Sequence, residues 1–263
     1  MDLDAKTFSK YIRISSHDRD FNDTSQTASS FKVNIPSHSR EFTALVGCQV
    51  VSAHIPNLFY NINEYNNSFT FTTIGDGLPH TLRVPPGQYS STELLDDLIA
   101  LIDAELSSSN SYSVADNTFK LTLTFSEDVK FTPSIRTNGL WVILGWGERE
   151  IEYTTLASSI TAPYPIDLSG VDAVYVHTRE LSAGLTDFDV QNSDVHPIVS
   201  VPLDVSFGQV AYYQSQDSTT GLIRFRNQRA ITEINLRLRD SRGRLLDLNG
   251  SDMTIVVKIY FRL

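Results

Sequence analysis

Residues Ile231 to Leu263 read ITEINLRLRDSRGRLLDLNGSDMTIVVKIYFRL, and this stretch decides the fold class. From Glu233 the residues alternate, with Ile234, Leu236 and Leu238 on one face and Glu233, Asn235, Arg237 and Arg239 on the other, as a half-buried strand requires. Asp240-Ser241-Arg242-Gly243 supplies turn chemistry, and Asn249-Gly250 repeats it. Met253, Ile255, Val257, Ile259 and Phe261 then recur at a spacing of two. The pattern predicts one long β-hairpin closing a β-sandwich. A strand of that length left at a sheet edge would template pairing with other chains, so a second sheet or a second chain must cover it. That need points to a building block rather than a catalyst.

The rest of the composition agrees. With 263 residues, 41% hydrophobic and 20% charged, the chain is ample for one large β domain or two modest ones. A net charge of −10 argues against wholesale wrapping of nucleic acid. No apolar run approaches the roughly 20 residues that span a bilayer, and Met1-Asp2-Leu3-Asp4 lacks the basic-then-apolar order of a signal peptide, so secretory export is not expected. Cys48 is the single cysteine. It excludes an intramolecular disulfide, fits assembly in a reducing compartment, and among Val46, Val50 and Val51 reads as a packing residue.

Working outward, residues 1–30 hold a short strand, Lys10 to Ser15, and a polar stretch from Ser16 to Ser30 that reads as a flexible arm or long loop. Residues 31–62 begin the sandwich with Phe31 to Ile35, halted by Pro36, and Val46 to Ile55, halted by Pro56. Residues 63–150 have a different texture and read as an inserted α+β subdomain. Its strands are Phe69 to Thr73, Thr81 to Val84, Tyr112 to Val114, Phe119 to Phe125 and Val129 to Phe131. Its one clear helix opens on a capping box, Ser90 with Glu93, and carries Leu94, Leu98, Leu101 and Ile102 on one face, widened by Leu95, Ile99 and Leu106. Residues 151–263 return to the sandwich through Asp172 to Thr178, Pro197 to Leu203, Gln209 to Gln214 and the terminal pair. About eight strands result, the number of a single jelly roll; an up-and-down barrel has the same count.

Catalytic chemistry has no candidate constellation. His17, His38, His54, His80, His177 and His196 occur singly, without the spacing of two or four that turns a pair toward one metal. The cluster Asp18, Asp20, Asn22, Asp23 places Asp23 where a calcium loop needs glycine and Ser29 where it needs a bidentate glutamate. Gly145-Trp146-Gly147 reads as a turn, and Trp141 and Trp146 as core. The sequence therefore predicts no enzyme activity, no cofactor and no metal. Its sharpest charge feature is a run of seven arginines, Arg224, Arg226, Arg229, Arg237, Arg239, Arg242 and Arg244, in an otherwise acidic chain. Arg237, Arg239, Arg242 and Arg244 are the candidate subunit-interface residues; solvated strand faces are the plainer reading.

The order of segments resembles the penton proteins, the single jelly-roll minor capsid proteins of virophages and related large double-stranded DNA viruses. The resemblance rests on Tyr11-Ile12-Arg13-Ile14-Ser15-Ser16, Phe31-Lys32-Val33-Asn34-Ile35-Pro36, Ile55-Pro56-Asn57-Leu58-Phe59-Tyr60-Asn61 and Val84-Pro85-Pro86-Gly87-Gln88-Tyr89-Ser90. It continues through Leu140 to Gly145, Ile166-Asp167-Leu168-Ser169-Gly170, and Leu236-Arg237-Leu238-Arg239-Asp240 to Gly250. It implies a homopentamer at the fivefold vertices of an icosahedral virion, made in the host cell interior and surrounded by trimers of a double jelly-roll major capsid protein. The jelly roll would form the shell, the insertion would project outward toward a host receptor, and the polar arm would order on contact with neighbouring capsomers. No specific nucleic acid and no transmembrane segment are implied. The rival reading is a host-attachment or fibre-head β-sandwich that binds cell-surface glycans through an exposed aromatic platform.

Overall fold

The computed structural model describes residues 7–35, 40–73, 77–131, 139–147, 153–182, 196–217 and 221–262. Met1 to Asp4, Pro36, His38 and Leu263 lie outside them. The chain begins with β1 (Thr7–Ser15), β2 (Ser30–Asn34) and β3 (Leu45–Pro56). It continues through β4 (Ser68–Thr73), β5 (Pro79–Arg83), helix α1 (Ser91–Leu106), β6 (Ser111–Val114), β7 (Lys120–Phe131), the short α2 (Leu140–Ile143) and β8 (Tyr153–Pro165). It closes with β9 (Ala173–His177), β10 (Val199–Pro202), β11 (Val210–Gln214), β12 (Ile223–Arg229), β13 (Glu233–Arg239) and β14 (Thr254–Arg262). Two compact units result, one from residues 1–59 with 171–263, the other from residues 60–170.

In the first unit the antiparallel pairs nest from the outside inward: β1 with β14, β2 with β13, β3 with β11, and β9 with β10. Lateral pairing of β14 with β3 and of β13 with β9 rolls this long hairpin into two sheets, ordered β1-β14-β3-β11 and β10-β9-β13-β2. That nesting is a jelly roll. An up-and-down barrel would pair β1 with β2, whereas β1 pairs with β14. Ile14, Cys48, Val50, Ile55, Val257 and Ile259 of the first sheet share one buried core with Phe31, Val174, Val176, Leu236 and Leu238 of the second.

Two expectations change here. The terminal segment is not a hairpin, because β13 and β14 belong to different sheets. After Arg239 the chain makes a tight turn, buries Leu246 and Leu248, turns again at Asn249-Gly250, and enters the opposite sheet at Thr254. Both strands are thereby central, each flanked on both sides, which removes the exposed long edge. The ninth strand, β12, pairs with β3 at Leu45 to Cys48 beyond the end of β11. In its sequence IRFRNQR only Ile223 and Phe225 are apolar, so the alternation stops after four residues and gives a weak signal.

The second unit has its own core and its own sheet, ordered β5-β4-β7-β6 with β8 on the remaining side of β7. The expected subdomain boundary at residue 150 falls instead at Gly170, since β8 runs along β7 from Phe131↔Tyr153 to Lys120↔Pro165. The capping box forms: Ser90 Oγ accepts from Glu93 N at 3.3 Å and Ser90 N donates to Glu93 Oε2 at 2.9 Å. The Ser90 backbone N–H and the Ser90 hydroxyl, which both donate to that carboxylate, hold it below its ordinary pKa. Leu94, Leu95, Leu98 and Ile102 of α1 are buried with Phe69, Phe71, Leu121 and Leu123. Trp141 stacks on Phe69 at 4.2 Å and meets Trp146 edge-on at 5.2 Å. Gly145 turns the chain here at φ +95°, where a Cβ would lie 2.2 Å from the Tyr164 carbonyl oxygen. The two ends of the unit are joined by the buried Asn61. Its amide nitrogen donates to Tyr89 O at 2.8 Å and Leu168 O at 3.5 Å, and its Oδ1 accepts from Tyr89 N at 2.9 Å.

Candidate subunit interface

The four arginines singled out in the sequence sit on and just after β13, and the structure gives them different work. Arg237 faces His177 on one side and Ser30 on the other, and is exposed. Arg242 is exposed in the turn. Arg239 and Arg244 are tied into that turn. Buried Asp240 accepts from the backbone N–H of Arg242 at 2.9 Å and of Arg244 at 2.8 Å, while its second oxygen takes Arg244 Nε at 2.7 Å. The Arg239 guanidinium caps the Gly243 carbonyl. Turn closure, rather than solvation, thus explains why Asp240 is followed by arginine at the fourth position.

The remaining arginines divide in the same way. Arg224 and Arg226 are exposed on β12. Arg229 is half-buried, donates to Ser182 O at 2.6 Å and lies 4.5 Å over the Phe225 ring. Beside it Glu180 is held by Thr178 Oγ1 at 2.9 Å, Asn235 Nδ2 at 2.9 Å and Asn235 N at 3.1 Å. Burial works against the charge of Glu180, and these donors outweigh it, leaving the carboxyl below its ordinary pKa.

The polar stretch 16–30 is an ordered loop packed on the sandwich, not a free arm. Ser16 is fully buried, its hydroxyl donating to Asp252 at 2.7 Å and accepting from Met253 N at 2.9 Å. Arg19 reaches the same carboxylate at 2.6 Å. Burial disfavours the Asp252 charge, but Ser16 and Arg19 prevail and lower its pKa. Asp20 accepts from Asn22 N and Asp23 from Ser25 N, so the acids suspected of a calcium loop hold their own backbone. Among the described residues no three metal-ligating side chains converge. The sequence left a flexible arm and a long loop both open, because a string of side-chain-to-backbone bonds needs no apolar periodicity.

Cys48 is buried, its thiol donating to Leu181 O at 3.3 Å, and burial pushes its pKa up to about 12. Further surface features stand out at the two ends of the first sheet. Phe8 and Tyr11 of β1 are 50% and 60% exposed, and Val210 and Tyr212 of β11 are 52% and 55% exposed. A run such as TFSKYIRIS, with aromatics in both phases of the alternation, was the available sequence signal.

The fold has a counterpart among solved structures. It is similar to the crystal structure of the selenomethionine-labelled mavirus penton protein, with a TM-score of 0.50, covering 98% of this chain and 99% of that one. The likeness is one of fold. Only 10% of residues are identical. No family model matches the sequence, and no curated protein matches it. Coverage that complete takes in the inserted unit as well as the jelly roll.

Proposed function

We propose that this chain is a structural protein of a viral capsid, a penton capsomer that assembles as a homopentamer at the fivefold vertices of an icosahedral shell. The observation that carries the reading is the end-to-end fold likeness to the mavirus penton protein, insertion included. Assembly would take place inside the host cell, with trimers of a major capsid protein around each vertex. The physics favours the reading. A cyclic ring joins one patch of each copy to a different patch of the next, and an acidic chain with Arg237 exposed on β13 and Arg242 exposed in the turn after it offers such unlike patches. Exposed Tyr65, Phe119 and Tyr164 would give the inserted unit a surface for a host receptor.

The experiment follows from the different work of the arginines. Replacing Arg237 and Arg242 by Gln removes two exposed charges and keeps the backbone bonds of the Asp240 turn. Exposed pairs contribute about 0–1 kcal/mol each, so melting should hardly move. Every copy repeats the defect, so pentamer formation measured by sedimentation should weaken about fivefold or more and become more salt-sensitive. Unaltered assembly across a salt series would leave these arginines as a solvated face. Three copies per particle in native mass spectrometry would favour a fibre head instead.

A further inference from the structure

Phe119 stands in a backbone conformation that its own side chain opposes. Among the described residues three that are not glycine have positive φ: Ser107 at 49°, Phe119 at 53° and Asn249 at 48°. Ser107 caps α1, and Asn249 sits in the turn before β14; both are small polar residues at positions that call for such a φ. A bulky aromatic there is an outlier, and strain of this kind persists where it serves a purpose. Packing is not that purpose. The Phe119 side chain is 64% exposed and belongs to neither hydrophobic core. Glycine or asparagine would fill the position with less strain, so what the strain keeps in place is the ring itself.

The turn that carries the ring is held by its backbone alone. It joins β6 to β7 through Ala115-Asp116-Asn117-Thr118. Ala115 O accepts from Thr118 N at 3.3 Å and from Phe119 N at 2.8 Å, and Ala115 N donates to Lys120 O at 3.1 Å. Phe119 O accepts from Ile166 N of the segment after β8 at 3.1 Å. Both backbone groups of Phe119 are thereby fixed. Other turns of this chain close on their own acids and amides: Asp20 accepts from Asn22 N, Asn63 from Tyr65 N, Asp167 from Ser169 N and Asp247 from Asn249 N. The side chains of Asp116, Asn117 and Thr118 bond nothing among the described residues, and all three are exposed.

A fixed aromatic ring beside an unspent carboxylate, amide and hydroxyl has the chemistry of a sugar site. The electron-rich face of the ring takes the C–H face of a pyranose, while Asp116 accepts from its hydroxyls and Asn117 both donates and accepts. A docked protein would draw on a broader apolar patch, and Asp116 to Thr118 offer none. The ring and the turn need no rearrangement to bind, which keeps the ordering cost low.

We propose that the β6–β7 turn of the inserted unit binds a pyranose sugar of a cell-surface glycan, with Phe119 stacking on the ring and Asp116 and Asn117 meeting its hydroxyls. The inference deepens the receptor-facing role of the inserted unit by naming the ligand class, and it does not need the pentamer. The test passes the full-length protein over polymer-linked galactose, N-acetylglucosamine, mannose, fucose and N-acetylneuraminic acid. At least one should bind. Phe119→Asn should weaken that binding about tenfold or more while the melting temperature holds or rises, since asparagine tolerates the positive φ. Phe119→Trp should retain the binding through its own π face, and Asp116→Ala and Asn117→Ala should each weaken it with melting unchanged. Binding to none of these sugars, or binding that Phe119→Asn leaves intact, would overturn the site. A pentamer that binds no sugar would do so while sparing the capsomer; a monomer that binds through Phe119 would uphold the site and overturn the capsomer.

Discussion

The jelly roll and the inserted unit are built on opposite plans. The sandwich depends on pairings between the far ends of the chain, Thr7 with Arg262 and Ser15 with Thr254, so no part of it is complete until nearly all of the chain is present. The inserted unit is one continuous segment with every strand pairing inside it, an aromatic core around Trp141 and Trp146, and Asn61 binding its two ends. Topological closure stabilises the first, and local packing the second. A segment of the second kind can be lengthened, shortened or replaced without undoing a fold of the first kind. Nature has also given each unit its own probe: the only cysteine lies in the jelly roll, and both tryptophans lie in the insertion.

The largest expected effect comes from excision. Replacing residues 60–170 with a Gly/Ser linker should leave a cooperatively unfolding β protein in which Cys48 stays protected from thiol reagents, since loop-closure entropy grows only with the logarithm of loop length. A linker variant without cooperative unfolding would show that the sandwich core depends on the insertion. Cutting only 63–146 is the poorer experiment, because it strands β8 without β7.

Next come single substitutions that should act on one probe and not the other. Gly145→Val forces a side chain into a positive-φ position against a backbone carbonyl, and should cost about 3 kcal/mol or more in the tryptophan transition. Cys48 labelling should hardly change. Ile255→Ala should do the reverse, accelerating Cys48 labelling by a loss of about 2–5 kcal/mol while tryptophan fluorescence holds. If each variant moves both probes equally, the units fold as one.

What the sequence disclosed follows the same division. Strict alternation made β13 and β14 legible, and the Ser90 to Glu93 spacing made α1 legible, because each signal is local. The assignment of β13 and β14 to different sheets was not, since alternation says which face is buried and not which sheet buries it. The candidate arginines were visible as charges. That Arg244 and Arg239 are engaged in the turn could not be seen, because Asp240 reads equally well as a solvated turn residue. The boundary at Gly170 escaped for a further reason: β8 carries no more than ordinary β character, and only its register with β7 assigns it to the insertion.

The smallest effect is a pH dependence of the jelly roll. Glu180 and Asp252 both have pKa values lowered by folding, so the stability they contribute is present above the ordinary carboxylate range and is lost as pH falls through their lowered values. Acidification should therefore loosen Cys48 protection in the wild type, and less so in a Glu180→Gln, Asp252→Asn variant. An unchanged acid profile in that variant would remove both carboxylates as the cause.

The central claim, a capsomer with fivefold symmetry, is tested most directly by electron-microscopic class averages of the purified full-length protein at high concentration and low salt. The account predicts closed rings of five copies. Threefold averages, or single particles at every concentration, would contradict it.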